Sequence, residues 1–188
     1  RRFQTRALPT ADQPADLRGA EVLVMGMGRV GSGAFDVMRD VYGDRVCGID
    51  SDTLQVAKHQ KEGRNVILGD AEDADFWEGI DAGELRLVML TMPTLGDMLQ
   101  TVTRLRAIGY QGPITAVAKH ADECTQLEEV GVRAAFNFYA EAGVGFAAHV
   151  LQKIPLQGEA DGSAMELLEH PVTQGGAINR IESESVGT

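Results

Sequence analysis

The chain has 188 residues, of which 44% are hydrophobic and 24% charged, a balance typical of one folded domain with tails. Its 28 Asp and Glu outnumber 17 Lys and Arg and give a net charge of -11, which argues against nucleic acid or an anionic membrane as the partner of the whole surface. Two cysteines without a Cys/His cluster exclude a disulfide scaffold and a zinc ribbon. No run reaches the ~18 apolar residues of a membrane span. These features predict a soluble, cytosolic protein.

Short apolar runs alternate with longer amphipathic ones from residue 20 onward. The runs are continuous, as in strands that are covered on both faces of a parallel sheet, and they predict strands at 21–25, 45–49, 65–68, 85–90, 113–117 and 132–136. Helices are predicted at 29–42, 52–62, 73–80, 94–109, 121–130 and 139–153. The alternation predicts an α/β, Rossmann-type doubly wound parallel sheet of six strands in the order 3-2-1-4-5-6, with a C-terminal helix.

Cap residues and composition predict where the helices and the domain end. A glycine follows four of the helical patterns, where a left-handed cap favours it, at Gly43, Gly63, Gly109 and Gly131. Asp52 is predicted to cap the second helix, and Asp122 to lie in the first turn of the fifth. The predicted domain is therefore residues 20–154, preceded by a linker or tether at 1–19. An acidic, mostly flexible tail follows at 155–188, with one short helix near 164–169.

A GxGxxG sequence closes the first predicted strand and opens the first predicted helix. In that context Gly26 allows a tight turn, Gly28 lets a phosphate approach the backbone, and Gly31 lets the helix pack close to the sheet. The free amides and the dipole of the helix attract the anion. The pattern predicts a nucleotide-phosphate site.

An acidic residue ends the second predicted strand. Asp50 lies 19 residues after Gly31, about where a strand-two carboxylate accepts hydrogen bonds from a ribose diol. A carboxylate there repels a 2′-phosphate, and the next residue is Ser51 rather than Arg, so NAD or an adenosine nucleotide is favoured over NADP. The alternative is that Asp50 only caps the second helix.

Two further strand ends reach the same edge of the predicted sheet. Asp70 and Ala71 follow the third strand, and Asp70 either hydrogen-bonds the adenine or caps the third helix. Thr91 and Met92 end the fourth strand beside the glycine loop, where a backbone or hydroxyl contact to the nucleotide is predicted.

These residues together resemble a known family. The GxGRxG sequence at 26–31, Gly-Ile-Asp at 48–50 and Gly-Asp-Ala at 69–71 are similar to an RCK (TrkA-N) domain, most closely to the cytosolic domain of Kef-type potassium/proton antiporters. The resemblance covers about residues 20–150. It implies a regulatory domain that binds AMP, NAD or NADH, dimerises, and gates cation flux in an attached membrane domain.

The resemblance also implies roles for individual residues. It places Gly26, Met27, Gly28, Arg29, Val30 and Gly31 at the phosphate, Asp50 with Ser51 at the ribose, and Asp70 with Ala71 near the adenine. The implied partners are a second copy, paired through the last helix, and a membrane-embedded cation transporter domain, with no nucleic acid. The implied location is the cytoplasmic face of the inner membrane.

Other functions remain as alternatives. An NAD-dependent oxidoreductase needs a substrate domain and a general base, and the 35 or so residues after the last helix are too few for one. His59 is predicted to be solvated, and His149 to be a packing or interface residue. Lys119 and His120 lie either in a solvated loop or at the distal part of a dinucleotide. A methyltransferase and an α/β domain with a vestigial site are weaker alternatives.

Overall fold

The computed structural model describes residue 17 and residues 19–78 and 80–154. The chain divides into two compact units, 1–142 and 143–188, and the boundary falls within the last helix. Most of the predicted tether and the whole predicted tail lie outside the described residues, so the domain limits stay a prediction.

Six parallel strands form one sheet in the order β3-β2-β1-β4-β5-β6, as predicted. β1 pairs with β2 on one side and with β4 on the other, and all five pairings are parallel. The first connections therefore run outward in one direction before the chain crosses to the other half of the sheet. The strands are β1 (Val22–Met25), β2 (Val46–Asp50), β3 (Val66–Leu68), β4 (Leu87–Leu90), β5 (Ile114–Ala118) and β6 (Ala134–Asn137).

A helix follows each strand. The first runs over the predicted residues. The third is shorter than the predicted 73–80, and the Oδ1 of Asp73, directly before it, accepts the Asp75 amide. The helices are α1 (Arg29–Tyr42), α2 (Thr53–Lys61), α3 (Ala74–Glu78), α4 (Leu95–Ala107), α5 (Ala121–Glu129) and α6 (Phe138–Lys153), and a 3-10 turn spans Gly43–Arg45.

The predicted caps are confirmed. Gly43, Gly63, Gly109 and Gly131 all have positive φ, from 62° to 96°, the conformation that lacks a Cβ penalty only in glycine. Asp52 caps α2 by accepting from the Leu54 and Gln55 amides, and Asp122 lies in the first turn of α5.

The core covers both faces of the central strands, which explains their continuous apolar runs. Leu23 and Met25 of β1 face a large cluster that contains Leu105 of α4 and Leu127 of α5. The alternating β1 residues, Val22 and Val24, face a smaller cluster closed by α1 and α2. Because β1 is buried on both faces, its carboxyl end is a fixed point from which the glycine loop leaves the sheet.

The outermost strand and the last helix are much more exposed. β6 alternates between exposed and half-buried residues, and no residue of α6 is buried. The exposed apolar side chains of α6 include Phe138, Tyr139, Val144, Phe146 and Leu151. Among the described residues, no helix is both long enough and apolar enough to cross a bilayer.

Candidate nucleotide site

The predicted site residues meet at one edge of the sheet. β1, β2, β3 and β4 are neighbours and parallel, so their carboxyl ends lie side by side, with the glycine loop at the point where the strand order reverses. Open α/β sheets bind ligands in the crevice at such a point. The geometry of each residue decides what it could contribute there.

The three glycines of the loop differ in the space that is available for a side chain. Gly26 has a φ of +91°, and an added Cβ would lie 3.0 Å from the backbone of Thr91 and Met92. A Cβ on Gly31 would lie 1.8 Å from the Gly26 carbonyl oxygen, so α1 packs against the loop only without one. A Cβ on Gly28 would meet nothing within 4 Å. Gly28 is thus the glycine that the protein's own packing does not require.

The loop opens directly into α1, whose first residue is Arg29. Arg29 is exposed, and Val30 is 36% exposed. Gly28 stands at the N-cap position without a side chain, so the free amides at this helix end have no capping oxygen of their own. Such an end suits an anionic ligand.

Asp50 connects β2 to the glycine loop. Its Oδ2 accepts the Met27 amide at 2.6 Å and its Oδ1 accepts the Asp52 amide at 2.8 Å. The predicted alternative, that Asp50 caps α2, is wrong because Asp52 provides that cap. Each carboxylate oxygen has a second lone pair, so the half-buried Asp50 retains acceptor capacity for a hydroxyl donor. Ser51 beside it is exposed.

Asp70 does not cap α3 either. Its Oδ1 accepts the Glu72 amide at 2.9 Å within the turn, and α3 begins four residues after it, at Ala74. The capping alternative is therefore wrong, and Asp70 lies exposed at the end of β3. The carbonyl of Ala71 accepts the indole N–H of buried Trp77 at 2.9 Å, which holds this turn to the core.

Thr91 and Met92 support the loop from β4. The Thr91 hydroxyl lies 3.0 Å from the Met25 carbonyl oxygen and 2.5 Å from that of Gly26, and its single proton serves one of them. Its amide donates to Met25 at 2.8 Å. Met92 is half-buried against the core. The amide and hydroxyl protons of Thr91 are thus donated inside the protein, so neither is available for the predicted contact with a nucleotide at this strand end.

The prediction that His59 is solvated is wrong. Its side chain is 3% exposed, and its Nε2 lies 2.7 Å from the Met27 carbonyl oxygen. The sequence signal was the spacing, because His59 is three residues after buried Val56 and so shares the inner face of α2. The two neighbours that suggested solvent, Lys58 and Lys61, belong to the exposed face.

Two glycines outside the loop also shape the site. A Cβ on Gly48 would lie 2.6 Å from the Met27 sulfur, so the buried Met27 side chain packs over β2 only because that position is glycine. A Cβ on Gly69 would lie 2.3 Å from the Phe76 ring. Both glycines belong to the motifs that carry the family resemblance, but no packing role was predicted for either, because no sequence pattern marks a contact made by a missing side chain.

Lys119 and His120 are both exposed, at the end of β5. The Lys119 ammonium donates to the Pro93 carbonyl at 2.8 Å, and the Glu123 carboxylate accepts the Lys119 and His120 amides at 2.7 and 3.3 Å. These contacts fix the turn into α5 and favour the solvated-loop interpretation. In the part of the chain that the structure describes, no group of three His, Cys, Asp or Glu side chains could hold a metal ion.

The fold and the glycine loop define a Rossmann-type domain whose first helix begins without a side-chain cap. The TrkA-N domain family model matches residues 22–138, well over half of the chain, and the chain belongs to that family. No curated protein matches the chain.

Solved structures of similar fold include a TrkA-N domain and two proteins with a bound nucleotide. The TrkA-N domain of the Escherichia coli inner membrane protein ybaL is 21% identical, with a TM-score of 0.61 and coverage of 69% of this chain and 96% of that one. The Shewanella denitrificans Kef CTD in its AMP-bound form is 20% identical, with a TM-score of 0.62 and coverage of 79% and 89%. The GsuK channel bound to NAD is 20% identical, with a TM-score of 0.62 and coverage of 74% and 25%.

Proposed function

We propose that this chain is a nucleotide-sensing regulatory domain that binds AMP or NAD(H) at the glycine loop. The observation that carries the proposal is the open space at Gly28, at an uncapped helix end, beside a carboxylate with spare acceptor capacity. The family membership and the AMP- and NAD-bound neighbours support it.

In the proposed complex the phosphate lies at residues 26–31 and the ribose hydroxyls donate to Asp50. The adenine lies beside Asp70 and Ala71, where the strand ends continue toward β3. A 2′-phosphate would face the Asp50 carboxylate with no cationic residue at Ser51 to offset the repulsion. NADP is therefore expected to bind more weakly than NAD.

A regulatory role fits the residues better than catalysis does. The polar groups of Asp50, Thr91 and His59 already bond to the loop or its neighbours, and none is placed as a free base beside a nucleophile. The proposed output is control of an attached membrane-embedded potassium (cation) transporter of Kef type, at the cytoplasmic face of the inner membrane. The GsuK and Kef neighbours support this assignment.

Regulation requires two states with different affinities for the nucleotide, since equal affinity shifts nothing. We propose that the states are two arrangements of a homodimer paired through α6, whose apolar side chains are exposed in this chain. Phe146 is 71% and Val144 57% exposed, and apolar side chains that are exposed together on one helix are typical of an interaction surface. Small-angle scattering of the dimer with and without saturating AMP tests this, and an unchanged curve would contradict it.

The first experiment is thermal unfolding against AMP, NAD, NADH, NADP and S-adenosylmethionine. A ligand at 100 times its dissociation constant adds about 2.7 kcal/mol to the free energy of unfolding, a melting shift of roughly 5–10 °C for a domain of this size. We expect shifts with AMP or NAD(H) and a smaller one with NADP. A shift with S-adenosylmethionine alone would indicate a methyltransferase, and no shift at all would refute nucleotide binding.

A further inference from the structure

His59 of α2 is buried against the glycine loop, although 32 residues separate it from Met27. Its Nε2 lies 2.7 Å from the Met27 carbonyl oxygen, and a carbonyl only accepts, so Nε2 must carry the proton. Its Nδ1 lies 3.0 Å from Nη1 of Arg64, and a guanidinium only donates, so Nδ1 must accept. The two partners therefore fix a neutral imidazole in one tautomer.

Arg64 is itself held in place by α1. Its Nε and Nη2 donate to the two carboxylate oxygens of Asp36 at 2.9 and 2.7 Å, and Nη1 also pairs with Glu62. The guanidinium holds the pKa of the Asp36 carboxyl below its ordinary value by hydrogen bonding and charge. Since α1 begins at the glycine loop, the contacts close a ring from the loop through Asp36, Arg64 and His59 back to the loop.

The hydrogen bond to Met27 determines which way the next amide points. In a trans peptide the carbonyl and the N–H of the following residue point in opposite directions, and the described chain has no cis bond. Because His59 draws the Met27 oxygen toward α2, the Gly28 N–H is turned the other way. Gly28 is exposed, and a Cβ built on it would meet nothing within 4 Å, so a ligand can reach this peptide group.

The preceding peptide group is already used by the protein. The Met27 amide donates to Asp50, and the Gly26 carbonyl oxygen lies 2.5 Å from the Thr91 hydroxyl oxygen. The Met27 amide is therefore not available to a phosphate, and the first loop amide that is available belongs to Gly28.

We propose that His59 is a positioning residue of the nucleotide site, which aims the Gly28 amide at the phosphate of a bound adenine nucleotide. The inference rests on the proposed nucleotide binding and deepens it. His59 does not touch the ligand in this arrangement; it acts through the Met27–Gly28 peptide. His59 should therefore contribute to the affinity for the phosphate group of the ligand and not to the affinity for its adenosine part.

The test compares the affinities of AMP and adenosine, by calorimetry and NMR titration, in the unmodified chain and three variants. His59→Met keeps the volume without polar atoms, and His59→Gln restores a donor and an acceptor at similar reach. Lys58→Gln is the matched control, because Lys58 is the exposed neighbour on the same helix. We expect His59→Met to weaken AMP roughly tenfold, as when hydrogen bonding to a charged group is degraded. Adenosine should change less than about twofold, and His59→Gln should recover most of the AMP affinity.

Equal losses for AMP and adenosine in His59→Met, or no loss for either, would overturn the proposal, because a general packing role predicts no selectivity for the phosphate. If that variant does not fold, heteronuclear NMR of the unmodified chain decides. The Gly28 amide proton should shift downfield with AMP and not with adenosine, and an unmoved Gly28 resonance would overturn the proposal. An unmodified chain that binds neither AMP nor NAD refutes the proposed function instead.

Discussion

Gly28→Ala should separate nucleotide binding from folding. Gly28 has a φ of -70°, which any residue adopts, and an added Cβ would contact nothing within 4 Å. In the proposed complex that empty space holds the phosphate. Gly33→Ala, five residues further along the same helix, also places its Cβ in open space but away from the loop, and is the matched control.

The two variants should differ little in stability. Replacing Gly by Ala where the backbone is compatible stabilises a protein by about 0.4–1 kcal/mol through the unfolded state. At the N-cap, however, Ala is less favourable than Gly by some tenths of a kcal/mol, so Gly28→Ala should change the free energy of unfolding by less than about 0.5 kcal/mol. Gly33→Ala lies inside α1 and should stabilise by about 0.5–1 kcal/mol.

The two variants should differ strongly in their affinity for AMP. A methyl group at Gly28 keeps the phosphate from the loop amides, and each hydrogen bond to a charged group is worth about 1.5–3 kcal/mol. Loss of one such bond weakens AMP about 10- to 150-fold, whereas Gly33→Ala should bind AMP normally. Calorimetric titration and urea unfolding of both variants measure the two effects. AMP binding by Gly28→Ala at the unmodified affinity would refute the assignment of the phosphate to this loop.

Three further substitutions test the contacts around the loop. Asp50→Ala should weaken AMP about 10- to 100-fold and also lower the unfolding free energy by about 1–2 kcal/mol in urea titrations, because a loop amide loses its acceptor; unchanged stability would contradict that bond. Gly31→Ala, with its Cβ 1.8 Å from the Gly26 oxygen, should cost about 1–3 kcal/mol or more, and a normal melting temperature would contradict the close approach. Asp36→Asn removes a partly exposed pair with Arg64 and should cost about 0.5–1 kcal/mol at pH 7. Since the folded pKa of Asp36 is lowered, this stabilisation is present above its ordinary value near 3.8 and is lost as the pH falls below it, so unfolding curves of the two proteins should converge in acid.

The sequence predicted the architecture because each signal for it is local. Continuous apolar runs predicted the strands, and residues that favour helix termini, such as Asp52 before α2 and Gly63 after it, predicted where the helices begin and end. The outermost strand was predicted at 132–136 and lies at Ala134–Asn137. Val132 is buried but belongs to the connection between α5 and β6, and hydrophobicity alone does not distinguish a connection from a strand.

The polar contacts of the site could not be predicted in the same way. The contacts of His59 with Met27 and of Thr91 with Gly26 join residues 32 and 65 positions apart. A helical period shows which face of α2 is buried, but not which backbone atom lies opposite a polar side chain on that face. The alternatives that Asp50 and Asp70 cap helices were chemically reasonable and wrong, because Asp52 caps α2 and Asp73, not Asp70, lies directly before α3 and accepts the Asp75 amide.

The contacts that shape the loop also limit how a nucleotide could act as a signal. The Met27 peptide groups are hydrogen-bonded to β2 through Asp50 and to α2 through His59. The loop is therefore preorganised before a phosphate binds. Such preorganisation raises the affinity for the nucleotide. Two states of the domain that share the same loop gain the same affinity, however, and a ligand with equal affinity for two states does not shift the equilibrium between them. Under the proposed function, the difference in affinity between the two states must therefore arise beyond the loop. Asp70 at the end of β3 and Lys119 at the end of β5 are exposed there, and a dinucleotide, which extends further along this edge than AMP, should shift the equilibrium differently from AMP.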